Sequence, residues 1–162
     1  IPMALQAQEK SEVTPTFRGA GAIDINAGIG LGSTLTGTGL PISASVMYGM
    51  NENISVGGYF GFASTSEDFG TGTWNYTNII IGGRGAYHYP LVDNIDTYGG
   101  AMLGYNIASS SWDGPGTGTA SVGWLTYFAF VGGRYHFTDK LGAFAEIGYG
   151  IAYLQFGLTV KM

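Results

Sequence analysis

The final ten residues, Tyr153 to Met162, constrain the fold of this chain more than any other stretch of it. Leu154, Phe156, Leu158, Val160 and Met162 share one parity, and Tyr153, Gln155, Gly157, Thr159 and Lys161 share the other. Side chains of an extended strand alternate between its two faces. The segment therefore predicts a strand with one wholly apolar face and one polar face, the pattern with which transmembrane β-barrels close.

Composition agrees where it bears on that reading. Charged residues make up 10% of the 162, against roughly 25% in soluble domains, while Gly occurs 29 times. No run approaches the ~20 apolar residues of a membrane helix. Low charge without a long apolar run suits a barrel that turns every second side chain to lipid. The chain has no Cys, so thiol and disulfide chemistry are excluded, and its net charge of −5 argues against nucleic acid as a partner.

Three regions are expected. Residues 1–7 (IPMALQA) read as the remnant of a secretory signal peptide. Residues 8–19, polar and broken by Pro15, read as a short tail, and residues 20–162 form one barrel domain. Alternation predicts eight strands, at about 20–32, 42–50, 54–64, 76–89, 95–108, 121–137, 141–148 and 153–162. Connections 33–41, 64–75 and 109–120 are long, 51–53, 90–94 and 138–140 are short, and 149–152 is moderate. Bacterial outer-membrane barrels alternate in this way, with short periplasmic turns and longer external loops. An even strand number then places both termini in the periplasm.

The charges supply the sharpest test. Glu9, Lys10, Glu12 and Arg18 fall in the tail, Glu52, Asp93, Asp139 and Lys140 in short turns, and Glu67, Asp68 and Asp113 in long loops. Only Asp24, Arg84, Asp96, Arg134, Glu146 and Lys161 fall within expected strands, each opposite in parity to the apolar set. None lands on the lipid face, where Lys or Arg costs roughly 2–4 kcal/mol at the midplane. A lipocalin-like soluble barrel reverses that distribution. Aromatics predict two interfacial belts: Tyr48, Tyr87, Tyr89, Tyr135 and Phe137 beside the short turns, and Trp74, Tyr76, Trp112 and Trp124, with Tyr105 and Tyr153, toward the long loops.

On these features residues 20–162 resemble the small eight-stranded outer-membrane β-barrel proteins, the group around OmpX and the OmpA membrane domain. Gln155, Gly157, Val160 and Met162 are similar to the C-terminal signal that the barrel-assembly machinery reads in such proteins, although the family usually ends in Phe. Val131–Lys140 followed by Phe144–Gly150 resembles the penultimate hairpin of that group. The resemblance implies an up-and-down antiparallel barrel in the bacterial outer membrane, with outer-membrane lipids, lipopolysaccharide and the assembly machinery as partners. It leaves open whether the chain joins a larger envelope complex.

Inside, Asp24, Arg84, His88, Asp96, Arg134, His136 and Glu146 are expected to form an ion-pair plug, His88 facing Asp96 across turn 90–94. Eight strands enclose only enough space for side chains to fill, and charges buried there must pair. The alternatives are a narrow channel for small solutes or an acid–base site. Outer-membrane lipid A deacylases are recognised by a His-x-Ser arrangement with a nearby carboxylate. His136-Phe137-Thr138 with Glu146 echoes it faintly, with Thr in place of Ser and at the wrong end for lipid A. The sequence therefore predicts no enzyme, no cofactor and no metal site. It predicts a structural or surface-interaction role through loops that contain no Lys or Arg.

Overall fold

Eight antiparallel strands follow one another in chain order and close into a barrel. They are β1 (Ile23–Leu31), β2 (Ile42–Gly49), β3 (Ile54–Asp68), β4 (Thr73–His88), β5 (Ile95–Asp113), β6 (Gly118–His136), β7 (Leu141–Gly148) and β8 (Leu154–Lys161). This computed structural model describes residues 17, 19–32, 39–116 and 118–162. The expected signal remnant, nearly all of the tail and most of connection 33–41 lie outside the described residues. The closing strand pairs with the first, Lys161 opposite Asp24 and Leu154 opposite Leu31.

All eight ladders run in unbroken register. A one-residue slip exchanges the two faces of a strand, so unbroken register keeps each parity on one side of the wall. Asp24, Arg84, Asp96, Arg134, Glu146 and Lys161 all turn inward and are buried. Outward, the barrel presents Ile29, Val46, Val56, Phe60, Ile81, Leu103, Val131, Ile147, Leu158 and other large apolar side chains. Apolar outside and charged inside is the arrangement hydrocarbon demands and water does not.

The strands differ in length. β1, β2, β7 and β8 have 8 or 9 residues, while β3, β4, β5 and β6 have 15, 16, 19 and 19. A tilted strand crosses a bilayer in about 9–11 residues, so the four middle strands continue past the rim as a projecting four-stranded sheet. Stretches 64–75 and 109–120, expected as loops, are mostly strand, and Glu67, Asp68 and Asp113 belong to β3 and β5. At the β3–β4 tip only a tight turn remains. After β3, the Asp68 carboxylate accepts from the Gly70 amide at 2.8 Å, and Gly70 takes the left-handed φ of 80° that favours glycine.

Two apolar layers fill the barrel between the polar groups. Tyr59, Ala63, Ile80, Met102 and Phe128 meet Ile151 and Ala152, which enter from the β7–β8 connection. Gly30 and Gly61 make room for that connection: a Cβ on Gly30 would stand 2.3 Å from the Ala152 Cβ, and one on Gly61 2.8 Å from Ile151 Cδ1. Met47, Ala86 and Tyr98, with Phe130, form the second layer.

Candidate functional site

Two places concentrate chemistry: the polar interior, and the face of the projecting sheet that continues it. In the interior, Arg84 donates from Nη2 to Glu146 Oε1 at 2.8 Å, and the Tyr98 hydroxyl donates to the same oxygen at 2.8 Å. The Arg84 guanidinium also lies 3.8 Å from the centre of the Phe130 ring and 5.6 Å from that of Tyr59. The Tyr59 hydroxyl donates to Gln155 Oε1 at 3.0 Å.

Nearer the short turns, Arg134 donates from Nη1 to Asp24 Oδ2 at 3.0 Å and to Asp96 Oδ2 at 3.3 Å, over the Tyr98 ring. The other Asp96 oxygen bonds His88 Nδ1 at 2.7 Å, and His88 Nε2 meets Ser55 Oγ at 2.8 Å. Among the described residues, three acids (Asp24, Asp96, Glu146) and three cations (Arg84, Arg134, Lys161) are buried in this space, so their formal charge cancels without either His. Cancellation matters because an unpaired buried ion costs several kcal/mol.

His88 and Asp96 meet by a different route from the expected one. The hairpin places Tyr98, not Asp96, opposite His88, and the imidazole reaches Asp96 diagonally. The turn is set by Val92 bridging Ile95 and by Asn94 in the left-handed region at φ 64°. Asn tolerates that conformation better than most residues. His136 is half-buried beyond this network. Lys161, Asp24, Arg134 and Asp96 all act on it electrostatically, and Nε2 has no hydrogen-bond partner among the described residues.

Ser55, His88 and Asp96 are ordered as in an acyl-transfer triad: carboxylate to Nδ1, Nε2 to hydroxyl. The chemistry does not follow, because Ser55 is fully buried and the second Asp96 oxygen is held by Arg134. A cavity of about 340 Å³ opens at this end and touches His88 and Asp96, but Ser55 does not line it. The Phe17 ring lies flat on the imidazole, centroids 3.7 Å apart and planes within 5°. A nucleophile without access to an acyl carbon is a hydrogen-bonding group. Among the described residues, no three His, Asp or Glu side chains gather as a metal ion would require.

Beyond the rim the parity continues but its chemistry reverses. Inward positions of the projecting sheet hold Trp74, Tyr76, Trp112, Val122 and Trp124. Outward positions form polar rows, Ser64–Thr77–Ser109–Ser121 and Ser66–Asn75–Ser111–Thr119. Ser66 Oγ donates to Asn75 Oδ1 at 2.6 Å along the second row. Tyr48, Tyr87, Tyr89, Tyr135 and Phe137 do stand outward and exposed near the short turns. Trp74, Tyr76, Trp112 and Trp124 do not make the matching belt, because register puts them on the opposite face, in line with buried Asn78 and Asn106. Of the four residues expected to form an assembly signal, Gln155 and Gly157 point inward, while Val160 and Met162 are exposed outward.

An eight-stranded ring with this inside-out polarity has solved counterparts. The N-terminal β-barrel domain of Pseudomonas aeruginosa OprF is similar over 90% of this chain and 100% of its own, at 16% identity and TM-score 0.52. Ail, the attachment invasion locus protein of Yersinia pestis, is similar at 15% identity, covering 88% of this chain and 95% of Ail with TM-score 0.54. In complex with the heparin analogue sucrose octasulfate, Ail matches at 12% identity, 86% and 93% coverage and TM-score 0.55. The fold is that of the small eight-stranded outer-membrane β-barrels. No family model matches the sequence, and no curated protein does. Identity this low carries the barrel fold and nothing of its neighbours' ligands.

Sequence reasoning had no hold on Ser55, Tyr98, Phe17 or the Ile151–Ala152 closure. Inward parity does mark Tyr98 and Ser55, but their partners sit diagonally or far along the chain. Phe17 reaches His88 across 71 residues with no ladder between them.

Proposed function

We propose that this protein sits in the bacterial outer membrane as a side-chain-filled barrel that anchors an external contact surface, the projecting sheet of β3–β6. Both chain ends and the short turns lie in the periplasm in this reading, and the sheet stands outside the cell. The observation that carries it is the reversal of polarity along single strands. On β5, outward Leu103, Tyr105 and Ile107 give way to Ser109, Ser111 and Asp113, as expected where a strand leaves lipid for water. Lipids and lipopolysaccharide surround the barrel, and the assembly machinery reads its closing strand. The buried network of Asp24, Arg84, His88, Asp96, Arg134 and Glu146 is structural, a plug and not a catalytic site. The polyanion bound to Ail has no counterpart here, because stretches 64–75 and 109–120 contain no Lys or Arg.

The test compares cells displaying the whole protein with cells displaying a trimmed one. In the trimmed chain 65–76 and 110–120 are each replaced by a two-residue turn, joining residues that already pair (Ser64 with Thr77, Ser109 with Ser121). The trimmed barrel should still insert and migrate differently before and after boiling, yet lose adhesion to glycan- and protein-coated surfaces. Equal adhesion by both removes the proposal. Planar-bilayer recordings address the plug directly: the refolded protein should be silent, and steady discrete openings would replace the anchor with a channel.

A further inference from the structure

Every tryptophan of the chain lies on the inner face of the projecting sheet: Trp74 on β4, Trp112 on β5 and Trp124 on β6. Trp74 and Tyr76, two residues apart on one strand, hold their rings 6.4 Å apart and 22° from parallel. Trp112 continues the patch, 5.3 Å from Trp74. Its ring is fixed before any ligand arrives. The indole N–H donates to the Pro115 carbonyl at 3.2 Å, and the ring lies so close to Gly72 and Gly114 that a Cβ there would come within 2.4 and 3.0 Å of it. Below, a cavity of about 400 Å³ is lined by Tyr76, Asn78, Ser110, Val122 and Trp124.

Trp124 is 41% exposed and Trp74, Tyr76 and Trp112 are half-buried, so the face keeps aromatic surface in water that a partner would cover with gain. Lipid is not that partner, because the face turns toward the barrel axis and the opposite face is the polar one. An anion is disfavoured as well. Glu67 stands opposite Trp74, Asp68 and Asp113 flank the tip, and no Lys or Arg occurs in either hairpin end. Nearly parallel rings a sugar-length apart, bordered by the Glu67 carboxylate and the Ser110 hydroxyl, match a different chemistry. The C–H face of a pyranose packs on the electron-rich face of an indole or phenol ring, while its equatorial hydroxyls hydrogen-bond to acceptors at the ring edge.

We propose that the inner face of the projecting sheet binds an uncharged oligosaccharide, stacking successive sugar rings on Trp74 and Tyr76 against the fixed indole of Trp112. The inference rests on reading that sheet as an external contact surface. It adds the class of ligand.

Because all three indoles belong to this face, intrinsic tryptophan fluorescence of the protein in lipid nanodiscs reports on it alone. Titrations use maltohexaose, N-acetylchitohexaose and a β-1,3-glucan hexamer, with heparin as the polyanionic control. At least one neutral hexamer should give a saturable change and heparin none. Trp74→Ala should weaken that binding about tenfold, the equivalent of one well-stacked ring. Trp74→Phe, which keeps a ring, should stay within about threefold of the parent. Retained heat-modifiable migration shows that each variant is folded. The proposal is overturned if none of the neutral hexamers gives a saturable response, if heparin alone does, or if Trp74→Ala binds as the parent. If the hexamers fail while the trimmed chain still loses adhesion, the ligand class is wrong and the contact surface stands. Equal adhesion by the trimmed chain defeats both.

Discussion

The sheet that grows out of the barrel continues four of the wall's eight strands in the same register, yet its side chains and the wall's obey opposite rules. Between Met102 and Asn106 on β5, inward positions are buried and outward Leu103 and Tyr105 are exposed and apolar. A few residues further, inward Trp112 is aromatic and outward Ser109 and Ser111 are hydroxylic. Backbone hydrogen bonding does not distinguish the two regions. What changes, in the proposed placement, is the medium beside each face, lipid in one region and water in the other. The lesson is that one period-two ladder serves both, and surroundings alone decide which face is apolar.

The largest difference between the regions concerns buried charge. Arg134 is 1% exposed and is the cation that both Asp24 and Asp96 contact. Arg134→Ala leaves two carboxylates in a nearly dry interior, and losing one partner of such a cluster costs about 3–5 kcal/mol. Reversible guanidinium unfolding in micelles should show the midpoint falling accordingly. Glu67→Gln, in the projecting sheet, should leave it unmoved. Comparable losses at both positions would mean that the two regions share one core.

A second contrast keeps strand and face constant. Leu103 and Ser111 both point outward from β5, and Leu103 is 63% exposed. Leu103→Arg places a cation against hydrocarbon and should cost about 2–4 kcal/mol. Ser111→Arg should change stability by no more than about 0.5 kcal/mol, as a water-facing surface substitution does. Refolding into vesicles of defined lipid separates the two. If Ser111→Arg is as damaging as Leu103→Arg, the membrane extends over the projecting sheet and the boundary between the regions moves outward.

That boundary also explains which features the sequence made legible. The eight strands and the inward placement of Asp24, Arg84, Asp96, Arg134 and Glu146 follow from one rule, that charges avoid the lipid face. The rule works wherever lipid is present. It stops at Asn78 on β4: the even positions Arg84, Ala86 and His88 are polar or small, while Trp74 and Tyr76, also even, are aromatic. A strand whose two ends follow opposite patterns reads as a strand plus a loop, which is why 64–75 and 109–120 were expected as connections. The interior pairings were less accessible for another reason. Arg84 meets Glu146 across the barrel, 62 residues away, and which inward residues share a level depends on register that Asn94 and the other turns set. Parity identifies the members of the network but not their partners.

The smallest expected effect lies at the seam where the closing strand returns to the first. Gly157 on β8 is opposite Gly28 on β1, and a Cβ on Gly157 would stand 2.1 Å from the Ala27 carbonyl oxygen and 2.4 Å from Gly28 Cα. Both obstacles are backbone, so neither can rotate away. Gly157→Ala must therefore spread the β1–β8 ladder, at about 1–3 kcal/mol. Gly118 on β6 is the matched case in the projecting sheet. Its Cβ would meet only the Trp74 ring at 3.6 Å and the Trp112 Cβ at 3.7 Å, which is ordinary contact. Gly118→Ala should be neutral or slightly stabilising, since alanine lowers the entropy of the unfolded chain where the backbone already suits it. Because Gly157 is also part of the proposed assembly signal, the reading must be thermodynamic, taken on protein refolded without assembly factors. A Gly157→Ala barrel as stable as the parent would show that the seam yields more easily than its backbone spacing implies. The projecting sheet would then no longer be the more tolerant region.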